Sequence, residues 1–236
     1  MTLSNLSTNL ASIVYNRLFL NRCYVCNIRN EGSLCLSCQS LLSVNRNHCQ
    51  LCSRPTRVSM TLCGECQKKP PSFDRIIAPL RYEGLCRALI QKAKFENQLH
   101  LLRPLVAITA QHILNKGIIL PNNWCVVPTS RQSLAGRGYC QTSFICTQLS
   151  QSLSSTPIQR IQLQRTLDVS AQHTRSKQQR QALSHRHFHI DQPVPEQILL
   201  IDDIVTTGST AEACAKALRL AGAKRVTILA LARTAE

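Results

Sequence analysis

Short apolar runs alternate with helix-spaced apolar positions over the last two thirds of the chain. Continuous apolar runs are typical of buried strands, and they predict strands at residues 75–82, 124–128, 198–201 and 226–231. Apolar residues spaced three and four positions apart predict helices at residues 85–93, 101–114, 139–153 and 210–220. Strands that alternate with helices favour an α/β fold with a parallel, doubly wound sheet.

Two segments outside this alternation have weaker patterns. Residues 10–20 predict a short amphipathic helix that leads into the rest of the chain. Residues 165–189 have weak periodicity and few apolar positions, so we expect a mobile loop or a frayed helix there. Because the chain has no run of about 18 apolar residues, we expect no membrane span. The N-terminus lacks a cationic start before an apolar core, so we expect a cytoplasmic protein without a secretory signal.

Composition indicates a basic globular protein. The 236 residues suffice for one domain and a small module, and the hydrophobic fraction of 44% argues against wholesale disorder. Lys and Arg number 28 against 12 Asp and Glu, a formal net charge of +16. Between residues 97 and 190 the sole acidic residue is Asp168. Such a surface favours a phosphate-bearing partner, either a nucleotide or a nucleic-acid strand, although a merely basic surface is the alternative.

The cysteines divide the chain. Eight of the 13 lie within the first 66 residues, and a polar connector containing Pro70 and Pro71 follows them. Because consecutive prolines continue neither a helix nor a central strand, we place a boundary there. The predicted organisation is a lead-in at residues 1–22, a cysteine module at 23–67, a linker at 68–72 and a larger domain at 73–236.

Four Cys-x-x-Cys units make up the module. They consist of Cys23, Cys26, Cys35, Cys38, Cys49, Cys52, Cys63 and Cys66. Each unit offers two thiolates to one metal ion, and two units complete the tetrahedral four-thiolate site that structural zinc prefers. The spacing therefore predicts about two zinc ions, with sequential pairing of the units slightly favoured over interleaved pairing.

Other cysteine chemistries remain as alternatives to zinc. A redox dithiol, a disulfide framework and an iron–sulfur cluster use the same residue type. Reduced thiols are expected in a chain without an export signal, which favours metal. We expect Asn27 and Gly64 to adopt the left-handed backbone that metal-binding turns often need.

Residues 198–210 join an apolar strand to a helix through a turn rich in small hydroxyl residues. The turn consists of Thr206, Thr207, Gly208, Ser209 and Thr210. Backbone N–H groups and hydroxyls at a helix N-terminus bind phosphate, and glycine permits its close approach. Two adjacent acids, Asp202 and Asp203, precede the turn. They would repel the phosphate, so we expect them to face sugar hydroxyls or a magnesium ion.

This segment closely resembles the phosphoribosyl diphosphate loop of type I phosphoribosyltransferases. The resemblance implies that Asp202 and Asp203 bind the ribose 2′- and 3′-hydroxyls, while residues 206–210 hold the 5′-phosphate. It also implies that residues 127–131 form a diphosphate loop, whose polar members are Thr129, Ser130 and Arg131. A chance strand–turn–helix is the alternative.

Further motifs resemble the ComF family, and the resemblance covers nearly the whole chain from Cys23 to Arg233. Beside the cysteine pairs and the phosphate loop, it rests on Tyr82-Glu83-Gly84, Lys94-Phe95, Val127-Pro128, Arg137-Gly138-Tyr139-x-Gln141, Gln172, Arg180 and Phe188. The resemblance implies a ligand cleft lined by Lys94, Arg137, Gly138 and Gln141. The chain departs from the family at Cys140, Val169 and Leu183, where Asn, Thr and Asn are usual.

The ComF resemblance implies a type I phosphoribosyltransferase-like parallel sheet with helices on both faces, preceded by a double zinc ribbon. It implies binding of phosphoribosyl diphosphate with Mg²⁺ and the handling of single-stranded DNA in natural transformation, with competence-machinery proteins as candidate partners. The alternative is an active phosphoribosyltransferase of nucleotide metabolism without a DNA role. No residue is identified as a general base, so the catalytic residue and the acceptor stay open. Aromatic residues are 4% of the chain, so DNA binding is expected to be mainly electrostatic.

Overall fold

The computed structural model describes residues 22–153, 157–166 and 184–235. The helix predicted at residues 10–20 lies outside the described residues, as do four positions named in the ComF resemblance: Val169, Gln172, Arg180 and Leu183. None of the helices in the described ranges is long and apolar enough to cross a membrane.

The chain divides into two compact units, residues 1–42 and residues 43–236. The described part of the first unit holds the first two cysteine pairs and the short helix α1, Leu36–Gln39. The second unit holds the last two cysteine pairs together with the sheet. The boundaries expected from the sequence at residues 67 and 73 stay a prediction.

The second unit alternates strands and helices. Its strands are β1 Arg75–Ile77, β2 Leu80–Arg81, β3 Asn123–Val126, β4 Gln159–Ile161, β5 Gln164–Arg165, β6 Phe188–His189, β7 Gln197–Val205 and β8 Arg225–Arg233. Its α-helices are α2 Gly64–Lys68, α3 Gly84–Phe95, α4 Arg103–Asn115, α5 Arg131–Arg137, α6 Gln141–Leu153 and α7 Ser209–Leu220. Two 3₁₀ turns occupy Leu99–Leu102 and His185–His187.

The main sheet has the strand order β1-β8-β7-β3-β4, and β2 also pairs with β8. Every one of these pairings is parallel. The apolar run Ile198–Ile201 is completely buried at the centre of this sheet. The predicted α/β class with a parallel sheet is therefore confirmed. Since the strands run in one direction, the segments that follow β3 and β7 leave the sheet at the same edge.

The second cysteine segment packs against β1. The Ile76 N–H donates to the Leu51 carbonyl at 2.7 Å, and the Ser53 hydroxyl donates to the Ile76 carbonyl at 2.6 Å. The cysteines of this segment belong to the same hydrophobic core as Phe73 and Ile76. The last two cysteine pairs are thus built into the domain that contains the sheet.

Several elements differ from the sequence prediction. The strand predicted at residues 75–82 is interrupted at residues 78–79, where proline lacks the N–H that a ladder needs. The loop predicted before residue 139 contains α5, which begins after the N-cap Ser130. The loop or frayed helix predicted at residues 165–189 is wrong at its described ends, because Arg165 pairs with Phe188 in a small antiparallel sheet.

Candidate metal centres and phosphate-binding site

The structure groups the eight N-terminal cysteines into two clusters. Within each cluster the sulfur atoms lie within 4.8 Å of one another. Centre 1 consists of Cys23, Cys26, Cys35 and Cys38, and centre 2 of Cys49, Cys52, Cys63 and Cys66. The units therefore pair sequentially, as the spacing favoured, and all 13 cysteines are free thiols rather than disulfides.

The first Cys-x-x-Cys unit of each centre forms the same tight turn. The residue after its second cysteine is left-handed, with φ 60° at Asn27 and φ 52° at Ser53. Its N–H donates back to the carbonyl of the first cysteine at 2.9 Å in both centres. The prediction is confirmed for Asn27 and wrong for Gly64, which begins α2 without a positive φ. Ser53 occupies the equivalent position in centre 2.

The second unit of each centre lies at the start of a helix. Cys35 is the N-cap of α1 and Cys63 is the N-cap of α2. The first helical turn then carries Cys38 or Cys66 back toward the cap. Each centre thus consists of one tight turn that faces the start of one helix. A short loop between the two Cys-x-x-Cys units is enough to bring the four thiols together.

Sulfur spacing shows that both centres fit a zinc ion. The Sγ atoms are 3.6 Å apart between Cys26 and Cys35, and 3.7 Å apart between Cys52 and Cys63. A tetrahedral site with Zn–S bonds of about 2.3 Å has S–S edges of about 3.8 Å. The backbone N–H of Cys63 also donates to Cys49 Sγ at 3.2 Å, which favours the thiolate.

The thiols within each centre do not ionise alike. Burial raises the pKa of Cys38 and Cys66. Burial also opposes ionisation of Cys23 and Cys49, but backbone N–H donors lower the pKa of these thiols to about 6 and about 7. Four thiolates at these distances repel one another, so full deprotonation requires a cation among them. Both centres could hold zinc.

The turn between β7 and α7 places a left-handed glycine directly before a helix. Gly208 is left-handed with φ 84° and caps α7, which begins at Ser209. The side chains of Thr206, Thr207 and Ser209 are exposed to solvent. The Thr207 and Ser209 hydroxyl oxygens lie 3.0 Å apart, and the Ser209 N–H donates to Thr207 Oγ1 at 3.3 Å. Hydroxyl and N–H groups therefore converge at the N-terminus of a helix of 12 residues.

Hydrogen bonds engage the one acidic side chain in the first turn of α7, which reduces its repulsion of an anion at the N-terminus of this helix. Glu212 accepts two hydrogen bonds from Ser72: the backbone N–H reaches Oε2 at 2.8 Å and the hydroxyl reaches Oε1 at 2.6 Å. The carboxylate is thereby tied to the segment after the proline pair. Its charge is partly compensated by these two donors.

The two acids belong to β7 itself rather than to the turn after it. Asp202 is 8% exposed and Asp203 7%. The Asp203 N–H donates to Asp202 Oδ1 at 2.9 Å, and the Ile204 N–H donates to Asp203 Oδ1 at 2.8 Å. Burial and then the neighbouring Asp203 charge raise the pKa of Asp202 to about 8. The raised pKa favours the protonated form of Asp202.

An ion pair joins the second acid to α3. Lys94 Nζ lies 2.8 Å from Asp203 Oδ2, with both side chains largely buried. Lys94 was placed in the ligand cleft by the resemblance alone, more than 100 residues from Asp203 in sequence. The fold brings the two together at the start of the phosphate loop.

The predicted diphosphate loop lies beside β7. The Val127 N–H donates to the Ile201 carbonyl at 2.9 Å, so this loop starts next to the strand that carries the acids. Ser130 Oγ accepts from the Ser133 N–H at 3.1 Å and caps α5, whose first residue is Arg131. The Ser130 hydroxyl is therefore engaged in capping, a role that the sequence prediction did not give it.

The remaining predicted cleft residues surround the start of α6. Gly138 ends α5 with φ 75°, and Arg137 Nη1 donates to Gln141 Oε1 at 3.5 Å. Gln141 is 4% exposed, and its Nε2 has no hydrogen-bond partner among the described residues. A buried amide without an acceptor is costly, and an anionic ligand oxygen would satisfy it.

An exposed aromatic side chain lies next to two of these predicted residues, Lys94 and Arg137. Phe95 follows Lys94 at the end of α3 and is 71% exposed. The Arg137 guanidinium carbon lies 5.7 Å from the centre of its ring. The Tyr139 hydroxyl donates to the Ala93 carbonyl and fastens the segment between α5 and α6 to the end of α3.

Comparison with known proteins gives several relatives along most of the chain, although no protein-family model matches. The DNA utilization protein YhgH of Escherichia coli K12 is 27% identical over 220 residues, which cover 90% of this chain and 96% of that protein. Competence protein F of Haemophilus influenzae is 28% identical over 86% of this chain and 91% of its own. Competence protein ComFC of Streptococcus pneumoniae is 27% identical over 87% of this chain and 90% of its own. The resemblance to the ComF family is confirmed.

One departure from the ComF pattern falls in the described residues. The Cys140 sulfur lies 3.3 Å from Thr129 Oγ1 and 3.1 Å from Thr142 Oγ1. Burial opposes ionisation of this thiol, but hydrogen bonds from neighbouring hydroxyls lower its pKa. Cys140 therefore still links the loop after β3 to the start of α6, in place of the usual Asn of the ComF family.

Sequence reasoning missed one residue of this region. Arg233 ends β8 and is 2% exposed. It donates to the carbonyls of Cys52 and Val205, and so contacts both centre 2 and the strand that enters the phosphate loop. The signal was an arginine two positions after the apolar run 226–231 that predicted the last strand.

Proposed function

We propose that the chain is a ComF-type, phosphoribosyltransferase-like protein of the cytoplasm. It binds phosphoribosyl diphosphate or a related sugar phosphate with Mg²⁺, and it handles single-stranded DNA during DNA uptake. The observation that carries the ligand proposal is the meeting of two distant segments: Lys94 at the end of α3 pairs with Asp203, which directly precedes the loop 206–210.

The ligand groups divide by charge among these residues. The turn from Thr206 to Thr210 takes the 5′-phosphate, because its N–H and hydroxyl groups converge at a helix N-terminus. Asp202 and Asp203 take the sugar hydroxyls or Mg²⁺, for which carboxylates are the preferred ligands. Lys94 pairs with Asp203 and the pKa of Asp202 is raised, so Mg²⁺ bound at these carboxylates would compete with Lys94 and with the Asp202 proton.

The diphosphate is bound by the remaining predicted site residues. Lys94, once released, Arg131 and Arg137 supply positive charge, and the unpartnered Gln141 amide supplies a neutral donor. Thr129, Ser130 and Gly138 complete this set. These residues bind and orient a ligand, and we assign no catalytic residue among them.

The net charge of the chain and the names of its relatives both support binding of single-stranded DNA. The chain carries +16, and proteins named for DNA utilization and competence match about nine tenths of it. Phosphate contacts made by basic side chains supply most sequence-independent affinity. Phe95 with Arg137 beside it adds one face on which a base can stack. Competence-machinery proteins are the partners that this role implies.

Both cysteine centres are proposed to hold structural zinc. Four thiols per centre leave no position for a catalytic water, so the ions stabilise the fold rather than act on a substrate.

Calorimetry tests the ligand site. Titration of Mg²⁺ and phosphoribosyl diphosphate into the full chain is expected to show binding, which Asp202→Ala combined with Asp203→Ala removes. Equal binding by the double variant would refute the site.

Fluorescence anisotropy tests the DNA role. Affinity for a labelled single-stranded oligonucleotide is expected to fall steeply and linearly in log–log form as salt rises. Absent or salt-insensitive binding would refute the electrostatic mode.

A further inference from the structure

Arg233 is a buried cation without a carboxylate partner among the described residues. Its guanidinium donates from Nε to the Cys52 carbonyl at 3.1 Å and from Nη1 to the Val205 carbonyl at 2.9 Å, and Nη1 also donates to the Thr206 carbonyl. Burial lowers the pKa of Arg233. A buried charge is tolerated when hydrogen bonds replace its hydration, so this side chain holds its carbonyl acceptors in place.

One of these acceptors belongs to centre 2. The Cys52 carbonyl lies in the tight turn in which the Ser53 N–H donates to Cys49 and the Cys49 N–H donates to Arg54. Thiols that gather on one ion close this turn and fix the direction of its carbonyls. The position of the Cys52 carbonyl, and with it the anchorage of Arg233, therefore depends on occupancy of centre 2.

The other acceptors belong to the entrance of the phosphate loop. Thr234 also contacts them: its N–H donates to the Val205 carbonyl at 3.1 Å and its hydroxyl to the Thr206 carbonyl at 3.2 Å. In a trans peptide the C=O and the following N–H point in opposite directions. Arg233 holds the carbonyls of Val205 and Thr206. The N–H groups in the same two peptides, those of Thr206 and Thr207, consequently point away from Arg233. Their exposed side chains lie on the loop that is proposed to bind phosphate.

We propose that Arg233 is a positioning residue that couples centre 2 to the phosphate loop. When centre 2 is filled, the Cys52 carbonyl holds one end of the guanidinium in place. The other end binds the Val205 and Thr206 carbonyls and so orients the loop N–H groups toward the ligand. This inference rests on the proposed function, because it presumes both zinc in centre 2 and phosphate on the loop.

Centre 1 provides a matched control. It has the same four-thiol arrangement but belongs to the other compact unit, whereas Arg233 contacts centre 2. Coupling is reciprocal, so a ligand that binds better to the filled protein must raise the metal affinity of the coupled centre. We expect this higher affinity to show as slower metal loss from that centre. A ligand effect confined to one of two similar centres is the result that the proposal requires.

The test follows zinc release from the full chain to a chelating dye, with and without Mg²⁺ and phosphoribosyl diphosphate. We expect two release phases, of which the ligand slows one on the order of tenfold and leaves the other unchanged. Cys26→Ser, which disrupts centre 1 alone, should retain the slowed phase. If the ligand binds and both phases respond alike, or neither responds, the coupling is wrong while the binding function stands.

Variants then identify the residue that couples. Arg233→Leu should abolish the slowing and weaken ligand affinity, and Arg233→Lys should restore part of both, because an ammonium still donates to carbonyls. Arg225→Leu is the control, since Arg225 is an exposed arginine at the opposite end of the same strand. If Arg233→Leu does not fold, absence of any effect in Arg233→Lys overturns the assignment. A wild-type chain that binds no ligand at all refutes the proposed function and the coupling together.

Discussion

Lys94 Nζ lies 2.8 Å from Asp203 Oδ2, where the end of α3 meets the carboxyl end of β7. The pair joins a cation proposed for diphosphate to an acid proposed for the sugar or Mg²⁺. In the ligand-free protein each neutralises the other, which stabilises two charges that are largely shielded from water. Under the proposed function, ligand binding would replace this internal ion pair with one ligand contact for each residue.

Removal of the Lys94 charge is expected to weaken the ligand complex. Lys94→Met should reduce the affinity for Mg²⁺ and phosphoribosyl diphosphate by about ten- to hundredfold, the range of one charge-assisted hydrogen bond. Calorimetry measures the change. Lys92→Met is the matched control, because it removes an exposed cation from the same helix. Equal losses in both variants would show that only the overall charge matters.

Replacement of Asp202 should change how stability depends on pH. The pKa of Asp202 is raised to about 8, above the unfolded value of about 4. The folded protein therefore holds a proton that the unfolded chain has lost, and stability falls as pH rises from about 4 to about 8. Asp202→Asn removes this penalty, so its melting temperature should exceed that of the wild type by a margin that grows from pH 5 to pH 9.

Thermal unfolding at several pH values, without ligand, measures this margin. Glu96→Gln is the control, because that carboxylate is exposed and accepts from the neutral Gln98 amide, so its replacement should give no such trend. A constant difference between Asp202→Asn and the wild type across this pH range would contradict a protonated Asp202.

Loss of centre 2 should lower the stability of the protein more than loss of centre 1. Elemental analysis is expected to give about two zinc ions in the wild type and about one in Cys26→Ser and in Cys63→Ser. The cysteines of centre 2 lie in the core with Phe73, whereas Cys26 is exposed in the other unit. Cys63→Ser should therefore lower the melting temperature of the main transition by many degrees, and Cys26→Ser by few. Iron in the purified protein would contradict zinc.

The exposed Phe95 ring should contribute to DNA affinity through stacking. Phe95→Leu is expected to weaken single-stranded DNA binding by about 1–3 kcal/mol, the typical value for one stacked base. Phe95→Trp should keep the affinity, and Ile119→Ala, which alters another exposed apolar residue, should leave it unchanged. Fluorescence anisotropy with an abasic oligonucleotide separates stacking from charge. If Phe95→Leu weakens abasic and normal strands equally, stacking is excluded.

Features that depend on local spacing could be predicted from the sequence. The four Cys-x-x-Cys units determine the metal ligands, because each pair must share one turn. The turn predicted between the strand at 198–201 and the helix at 210–220 also lies where the sequence placed it, with α7 beginning at Ser209. The left-handed residue of centre 2 was missed because Ser53 stands where Asn27 stands in centre 1, and a serine gives little conformational signal.

Features that depend on distant partners could not be predicted. The acids lie within β7 because the ladder with β8 continues to the pair Val205 and Arg233. Their burial follows from packing by neighbouring elements, and no local pattern reveals it. The contacts of Arg233 with Cys52 likewise join residues 181 positions apart.

The contact between the second cysteine segment and β1 has a consequence for solubility. β1 is the outermost strand of the described sheet, and its free side at Ile76 is capped by Leu51 and Ser53. Unpaired strand edges recruit strands of other molecules and so promote aggregation. A chain whose centre 2 has been emptied would release this cover. The segment that carries centre 2 thus covers a strand edge that could otherwise pair with other copies, a role quite separate from any ligand.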